Sequence, residues 1–289
     1  MEYFSFNGID SRDINMYIVN DQDGYTLTQY LPANQFSHEI TRNYIVDNGS
    51  YYTERTFSFK VVAETFQPLE YIQDMTRWLE TDEYKPLIFS REPYKQFFAK
   101  RCGEFTPIIH NGYVVCTLQF IALDYHGYST FYVSEINEDL FCDSDYENSG
   151  IKPGETYVFT NVGNNSSLRV YHGGNNDDCN PTIIIEGTFQ DIVLENKTTG
   201  ERCILNYNLN NGSLKIDCEN QTIFKNGSYD VSGHRGSFIK LKGRSSVFPT
   251  LLNSNYDYMK TDGYNDIRVT SSNPMNISKI KFDFRFVYN

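Results

Sequence analysis

Residues 180–229 read NPTIIIEGTFQDIVLENKTTGERCILNYNLNNGSLKIDCENQTIFKNGSY, and this stretch decides the fold. Pro181 opens an apolar run at Thr182, Ile183, Ile184 and Ile185. Phe189, Ile192 and Leu194 follow before Thr198, Thr199 and Gly200 break the chain. Leu214, Ile216 and Cys218 alternate strictly with Lys215, Asp217 and Glu219. A period of two sends apolar side chains to one face of a strand and charges to the other. Asn211-Gly212 and Asn226-Gly227 stand between the runs, and Asn-Gly supplies the positive φ that two-residue hairpin turns require. The stretch predicts antiparallel sheet with one buried and one wet face. It contains no His and no nucleophile beside a base, so it carries no recognisable chemistry.

The remainder of the second half continues in the same manner. Short runs at Tyr157, Val158 and Phe159, at 168–171, at Phe238, Ile239, Lys240 and Leu241, at 267–269 and at 277–288 are separated by Asn and Gly. Many short strands with regular turn signals predict a β-sandwich. Before it, residues 134–150 hold Glu135, Glu138, Asp139, Asp143, Asp145 and Glu147 without a Lys or Arg, which reads as an acidic, solvated connector. The predicted division is therefore a first domain over 1–133 and a second over 134–289. A chain of 289 residues is long enough for two cores.

In the first half, Phe4 and Phe6 run into Asn7-Gly8, a turn signal, and 16–19 reads as a strand. The acidic run at 20–24 lacks the further oxygens of a calcium loop and reads as a plain turn. Residues 35–52 carry Phe36, Ile40, Tyr44, Ile45, Val46, Tyr51 and Tyr52 among polar residues. With Asn48-Gly49 as its turn, the segment predicts a long, protruding hairpin and a candidate intersubunit arm. Residues 55–64 alternate cleanly as a strand. Pro68 then opens the one convincing helix, 68–80, since Pro suits a first helical position. Leu69, Ile72, Trp78 and Leu79 form its apolar stripe and are read as anchors onto the sheet. Residues 85–89 and 97–101 read as further strands, with a short helix as the alternative over 97–101, and 113–123 is the longest apolar strand of this half.

Composition narrows the function. A net charge of −12, with ten Lys and Arg against seventeen Asp and Glu in residues 1–133, opposes duplex nucleic-acid binding, which needs clustered cations. No segment reaches the roughly 18 apolar residues of a membrane span, and the first residues lack a signal peptide's basic and apolar regions. The six Cys form no C-x-x-C pair and read as reduced, buried residues. A zinc site of Cys142, His172 and Cys179 fits no standard ligand frame. The five His are scattered outside any catalytic motif. No catalytic, cofactor or metal residue is therefore expected, and the chain reads as a non-enzyme. The high aromatic content, with 23 Tyr and 21 Phe, suits contact surfaces.

The ordered series of motifs resembles the distal tail protein family of long, flexible-tailed phages and tail-like bacteriocins. Residues 6–13 (FNGIDSRD) resemble its opening, and the helix followed by Pro86-Leu87-Ile88-Phe89 and Arg91-Glu92-Pro93 its middle. Asn161-Val162-Gly163, Pro181-Thr182-Ile183, residues 196–200, Lys225-Asn226-Gly227 and 238–243 resemble its C-terminal half. Two features depart from the pattern, Asp124-Tyr125-His126 without a Pro and a long, Asn-rich stretch at 163–181. The resemblance implies a mainly β fold with one helix. Its parts are a ring-forming, tail-tube-like β-sandwich with a helix and protruding hairpin, and a galectin-like β-sandwich. It further implies a hexameric ring made in the host cytoplasm and built into the virion tail tip. There the ring joins the tail tube protein to the tail-associated hub protein and anchors receptor-binding or baseplate proteins. The competing reading is a carbohydrate-binding adhesion module for host cell-wall polysaccharide.

Overall fold

The computed structural model describes residues 2–19, 34–40, 45–52, 55–123, 125–137, 140, 149–152, 154–176, 179–244 and 262–288, with 34–40 and 45–52 described by their backbone. The chain divides into two compact units, 1–127 and 128–288.

The first unit runs through β1 (Phe4–Phe6), β2 (Ile9–Asp10), a 3-10 turn (Ser11–Ile14) and β3 (Met16–Ile18). The pair β4 (Asn34–Ile40) and β5 (Ile45–Tyr52) follows, then β6 (Thr56–Glu64) and helix α1 (Pro68–Leu79). Strands β7 (Lys85–Phe89), β8 (Lys95–Cys102), β9 (Ile108–His110) and β10 (Tyr113–Ala122) complete it. The main sheet has the order β2-β1-β7-β8-β10-β6-β3. It curls until its two sides meet, where the Ile18 N–H donates to the Glu2 carbonyl at 2.8 Å. Its halves thus face one another across a shared core.

That core follows from strand alternation. Phe57, Phe59, Val61 and Ala63 of β6 point inward, as do Val114, Cys116, Leu118 and Phe120 of β10. Phe4, Phe6, Phe89 and Phe97 join them, with ring centroids such as Phe57–Phe97 at 4.8 Å and Phe6–Phe120 at 4.9 Å. Each buried Phe contributes about 1.5–3 kcal/mol of transfer free energy. Asn7 and Gly8 both adopt positive φ, 51° and 77°, and turn β1 into β2 as the sequence predicts.

Helix α1 begins at Pro68, as expected, and ends at Leu79, where Glu80 turns to an extended conformation. Met75 and Leu79 are buried, and Tyr71, Ile72 and Trp78 are half-buried against the core. Leu69 corrects the sequence reading: it is 70% exposed and anchors nothing. At 100° per residue it lies about 150° from the stripe centred on Tyr71, Met75 and Trp78, nearly on the opposite side of the helix. Asn48-Gly49 is a second correction. It sits inside β5, opposite a register shift between Phe36–Ser50 and His38–Asp47, so it forms a bulge and not the turn.

The second unit contains most of β11 (Gly127–Ser129), a 3-10 turn (Val133–Glu135), β12 (Val158–Val162) and β13 (Ser166–Tyr171). Then come β14 (Thr182–Asn196), β15 (Arg202–Asp217), β16 (Thr222–Lys225), β17 (Ser228–Tyr229) and β18 (His234–Gly236). Strands β19 (Tyr264–Ser271), β20 (Asn276–Asp283) and β21 (Val287–Tyr288) end the chain. The long hairpin β14–β15 organises the unit. The first half of β14 pairs with β20 and the end of β15, and its second half pairs with β19 and the start of β15. The two halves are separated by bulges and supply both layers of the sandwich. Gly187 is required at that bend: its φ is 144°, and a Cβ there would lie 2.5 Å from the Asn276 carbonyl oxygen.

Leu214, Ile216 and Cys218 are buried, as the alternation predicts. Asn226-Gly227 is the expected two-residue turn between β16 and β17. Asn211-Gly212 is not a turn. β15 runs through it, and between the pairs Gly187–Gly212 and Phe189–Leu209 that strand takes one residue more than β14. Positive φ serves a bulge as well as a hairpin, and sequence alone does not separate the two. Residues 238–241 are not a strand either; Leu241 makes one isolated bridge to Cys179. Residues 129–133 pack with the end of the chain, through Ser129 N–H to the Phe286 carbonyl and Val133 N–H to the Phe284 carbonyl at 2.8 and 2.9 Å. The acidic connector lies largely outside the described residues, as does the run at 20–24.

Candidate functional site

Among the described residues no group of three or more His, Cys, Asp and Glu is placed to hold a metal ion. The suspected zinc partners are otherwise engaged. His172 is fully buried, and its Nε2–H donates to the Asn176 carbonyl at 3.0 Å while Nδ1 faces the Gly174 N–H. Burial lowers its pKa to about 3, so the ring is neutral. Cys179 is an unbridged, buried thiol whose pKa burial pushes well up, and Cys142 lies outside the described residues. Burial likewise raises the Cys116 thiol to about 11. These are inert core sulfurs and not thiolate nucleophiles.

The first unit instead offers surfaces. Beside α1 lies a cleft of about 640 Å³. Ile9, Ile14, Tyr71, Met75 and Trp78 supply its apolar wall, and Glu64 and Asp74 its acidic rim. Its shape is fixed by two bonds. The Trp78 indole N–H donates to the Phe6 carbonyl at 2.9 Å, with the ring stacked on Phe4 at 5.8 Å. The Tyr71 hydroxyl donates to the Ile14 carbonyl at 2.8 Å. The bonds tie the helix to the end of β1 and to the end of the 3-10 turn that follows β2. Phe66 projects at the rim, fully exposed, with Leu69 close behind it in the chain. Sequence reading missed Phe66; its position just before the Pro68 helix start was the available signal. Asp74 pairs only loosely with Arg77, at 3.1 Å with both side chains about three-quarters exposed.

The candidate arm residues fall on a separate two-stranded sheet. β4 and β5 pair with each other and, among the described residues, with neither large sheet. Phe36 stands opposite Ser50, Ile40 opposite Ile45, and Val46 opposite Glu39. Tyr51 and Tyr52 pair with Gln35 and Asn34 at the open end, and Tyr44 lies outside the described residues.

In the sandwich the aromatic surfaces are occupied or isolated. Tyr171 is buried against Tyr264, with ring centroids 4.9 Å apart. Arg169 lies 3.7 Å and Lys152 4.7 Å from the Tyr264 ring centre. Tyr256 and Tyr258, the other possible stacking residues, lie outside the described residues.

The first unit is thus a curled sheet with one docked helix and its own hairpin, and the second a sandwich built on one bent hairpin. Residues 1–122 match the family described as the phage tail protein N-terminal domain. A curated relative, the SPbeta prophage-derived uncharacterized protein YomH of Bacillus subtilis (strain 168), is 29% identical over 132 residues. That match covers 43% of this chain and 51% of YomH, so the chain spans about half the length of the curated relative it matches. Over its whole length the fold is similar to the crystal structure of the Dit protein of phage SPP1, with a TM-score of 0.65. The likeness covers 99% of each chain at 14% identity and is one of fold. That protein is described as a paradigm of the hub adsorption apparatus in phages infecting Gram-positive hosts. No helix among the described residues is long and apolar enough to cross a membrane.

Proposed function

We propose that this chain is a distal tail protein, a structural component of the tail tip of a phage or phage-like particle. The observation that carries the reading is the likeness to SPP1 Dit across both units, at 99% of each chain. The match of residues 1–122 to a tail-protein domain supports it independently from sequence. In this reading the first unit forms a hexameric ring that continues the tail tube and meets the hub protein. The second unit is a docking scaffold for receptor-binding or baseplate proteins. The work is contact and not chemistry, and the chain acts in the virion after synthesis in the host cytoplasm. Repeated heterologous contacts close into a ring when the rotation allows. The acidic balance of the first half suits a lumen through which DNA slides, since like charge discourages phosphate sticking.

Light scattering behind a sizing column, with negative-stain imaging of the same fractions, tests this reading. Rings of uniform diameter, alone or with the hub protein, are expected. A strictly monomeric chain under both conditions would overturn it. Deleting residues 39–51 is expected to leave a folded chain that no longer assembles.

A further inference from the structure

One end of the first unit is apolar beyond what its own core needs. The cleft beside α1 holds about 640 Å³ behind the apolar wall of Ile9, Ile14, Met75 and Trp78, within the range of about 300–1,000 Å³ typical of binding clefts. Phe66 at its rim is fully exposed, and Leu69 in the first turn of α1 is 70% exposed. The β9–β10 hairpin adjoins this rim, since the Thr65 N–H donates to the Gly112 carbonyl at 3.0 Å and Tyr113 stands opposite Glu64. Ile108, Ile109 and Tyr113 on that hairpin are exposed too. Apolar side chains scattered singly over a surface mean little, but gathered around a cleft they mark a contact.

The charge around the cleft has one sign. Glu64 and Asp74 line it, and Glu70 lies one turn before Asp74 on the same face of α1, all three exposed. The nearby cations are already engaged: Arg12 is bound to Asp10 at 2.8 Å, and Arg77 lies against Asp74 at 3.1 Å. The first 133 residues carry ten Lys and Arg against seventeen Asp and Glu, so a second copy would bring like charge to this rim. We propose that the α1 cleft binds a cationic, apolar segment of a different protein, its apolar side chains seated on the wall and its Lys or Arg side chains set against Glu64 and Asp74. Such a segment covers the exposed apolar surface and gives the rim carboxylates charge-assisted partners. That the partner is a neighbour in the tail rests on the distal-tail reading above; the chemistry of the cleft stands without it.

Trp78 is the only tryptophan of the chain and lines the cleft, so its fluorescence reports occupancy without a label. The probes are two capped, tryptophan-free peptides of leucine and lysine, one alternating and one with its leucines at helical spacing, and their leucine–glutamate counterparts. At least one lysine peptide is expected to change Trp78 emission saturably below about 1 mM, and neither glutamate peptide is. The full chain carrying Glu64→Lys and Asp74→Lys is expected to bind that lysine peptide about tenfold more weakly or worse, and to respond to its glutamate counterpart. Phe66→Ser alters a fully exposed side chain. It is expected to weaken binding about threefold or more with thermal melting unchanged, and it carries the test if the double variant melts early. No saturable change with either lysine peptide, or an equal response to both charges, would overturn the proposal. An emission change on concentrating the chain alone would also overturn it, by giving the cleft to a second copy. Ring formation is read separately by light scattering, and its failure would sink the ring reading while leaving the peptide result in place.

Discussion

Asn196 and Asn265 meet inside the sandwich, the Asn196 Nδ2 donating to the Asn265 Oδ1 at 3.1 Å with both side chains fully buried. The Asn196 Nδ2 also donates to the Lys240 carbonyl at 2.6 Å. Asn265 accepts from the Lys242 N–H at 2.8 Å and donates to the Lys242 carbonyl at 3.0 Å. Two side-chain amides thereby hold residues 240–242 where a neighbouring strand would otherwise do so. Ile239 and Leu241 are buried on either side of Lys240 by this arrangement.

Asn265→Ala is therefore expected to strand several buried backbone groups at once. Each unsatisfied group costs about 1–3 kcal/mol, so a loss of about 3 kcal/mol in sandwich stability is expected. Calorimetry of the whole chain should show the sandwich transition fall while that of the first unit stays. A loss below about 1 kcal/mol would mean that water takes over the amide's bonds.

His172 makes the sandwich sensitive to acid. Burial is the largest cause of its lowered pKa, with the Asn176 bond opposing and the Arg244 charge assisting. The folded state therefore binds fewer protons than the unfolded state between the ordinary value of 6.5 and about 3. Its stabilising contribution is complete above 6.5 and is lost as pH falls through that window, by up to about 1.4 kcal/mol per pH unit. His234, also lowered mainly by burial, acts in the same sense but is less buried. Denaturant titrations from pH 7 to pH 5 should show this slope. His172→Gln, which keeps a donor for the Asn176 carbonyl, should remove most of it. An unchanged slope in that variant would assign the effect elsewhere.

Much of the fold was legible because strands bury alternate residues. Ile183, Ile185, Leu214 and Ile216 declare an inner face, and nothing nearby competes with that signal. Asn211-Gly212 and Asn48-Gly49 were legible as positive-φ sites but not as bulges, because the register that distinguishes the two depends on a partner strand. Residues 238–241 look like a strand, yet beyond the one bridge from Leu241 to Cys179 the segment is held by the side chains of Asn196, at Lys240, and Asn265, at Lys242, both distant in sequence. The cleft was not legible at all. It depends on where the curl of the sheet brings Ile9 and Ile14 against α1.

The helix separates anchors from bystanders. Trp78→Ala removes a stacked ring and the bond to the Phe6 carbonyl, and a cost of about 3–5 kcal/mol to the first unit is expected. Leu69→Ser removes a side chain that is 70% exposed and should change stability by less than about 0.5 kcal/mol. The same Leu69→Ser variant should weaken assembly if the surface around the cleft is an interface. Equal losses of stability in the two variants would contradict the observed packing.

The sandwich is expected not to bind simple sugars. A sugar site needs an open aromatic face flanked by side chains that grip hydroxyls. Tyr171 is 1% exposed, and Tyr264 is already approached by Arg169 and Lys152 at 3.7 and 4.7 Å. Its hydroxyl is bonded to the Glu155 carboxylate. Tyr229, 63% exposed, is the open candidate among the described residues. It stands on a two-residue strand, and its cross-strand partner is Phe224, an aromatic and not a hydroxyl-binding residue. His172 and Asn265, whose side chains have hydroxyl-binding chemistry, are committed to the interior. Titration calorimetry of the full chain with common mono- and disaccharides, and with host cell-wall polysaccharide, should give no saturable heat. Saturable binding lost on Tyr229→Ala would place a glycan site on the outer strand pair and make the sandwich an adhesion module as well as a scaffold.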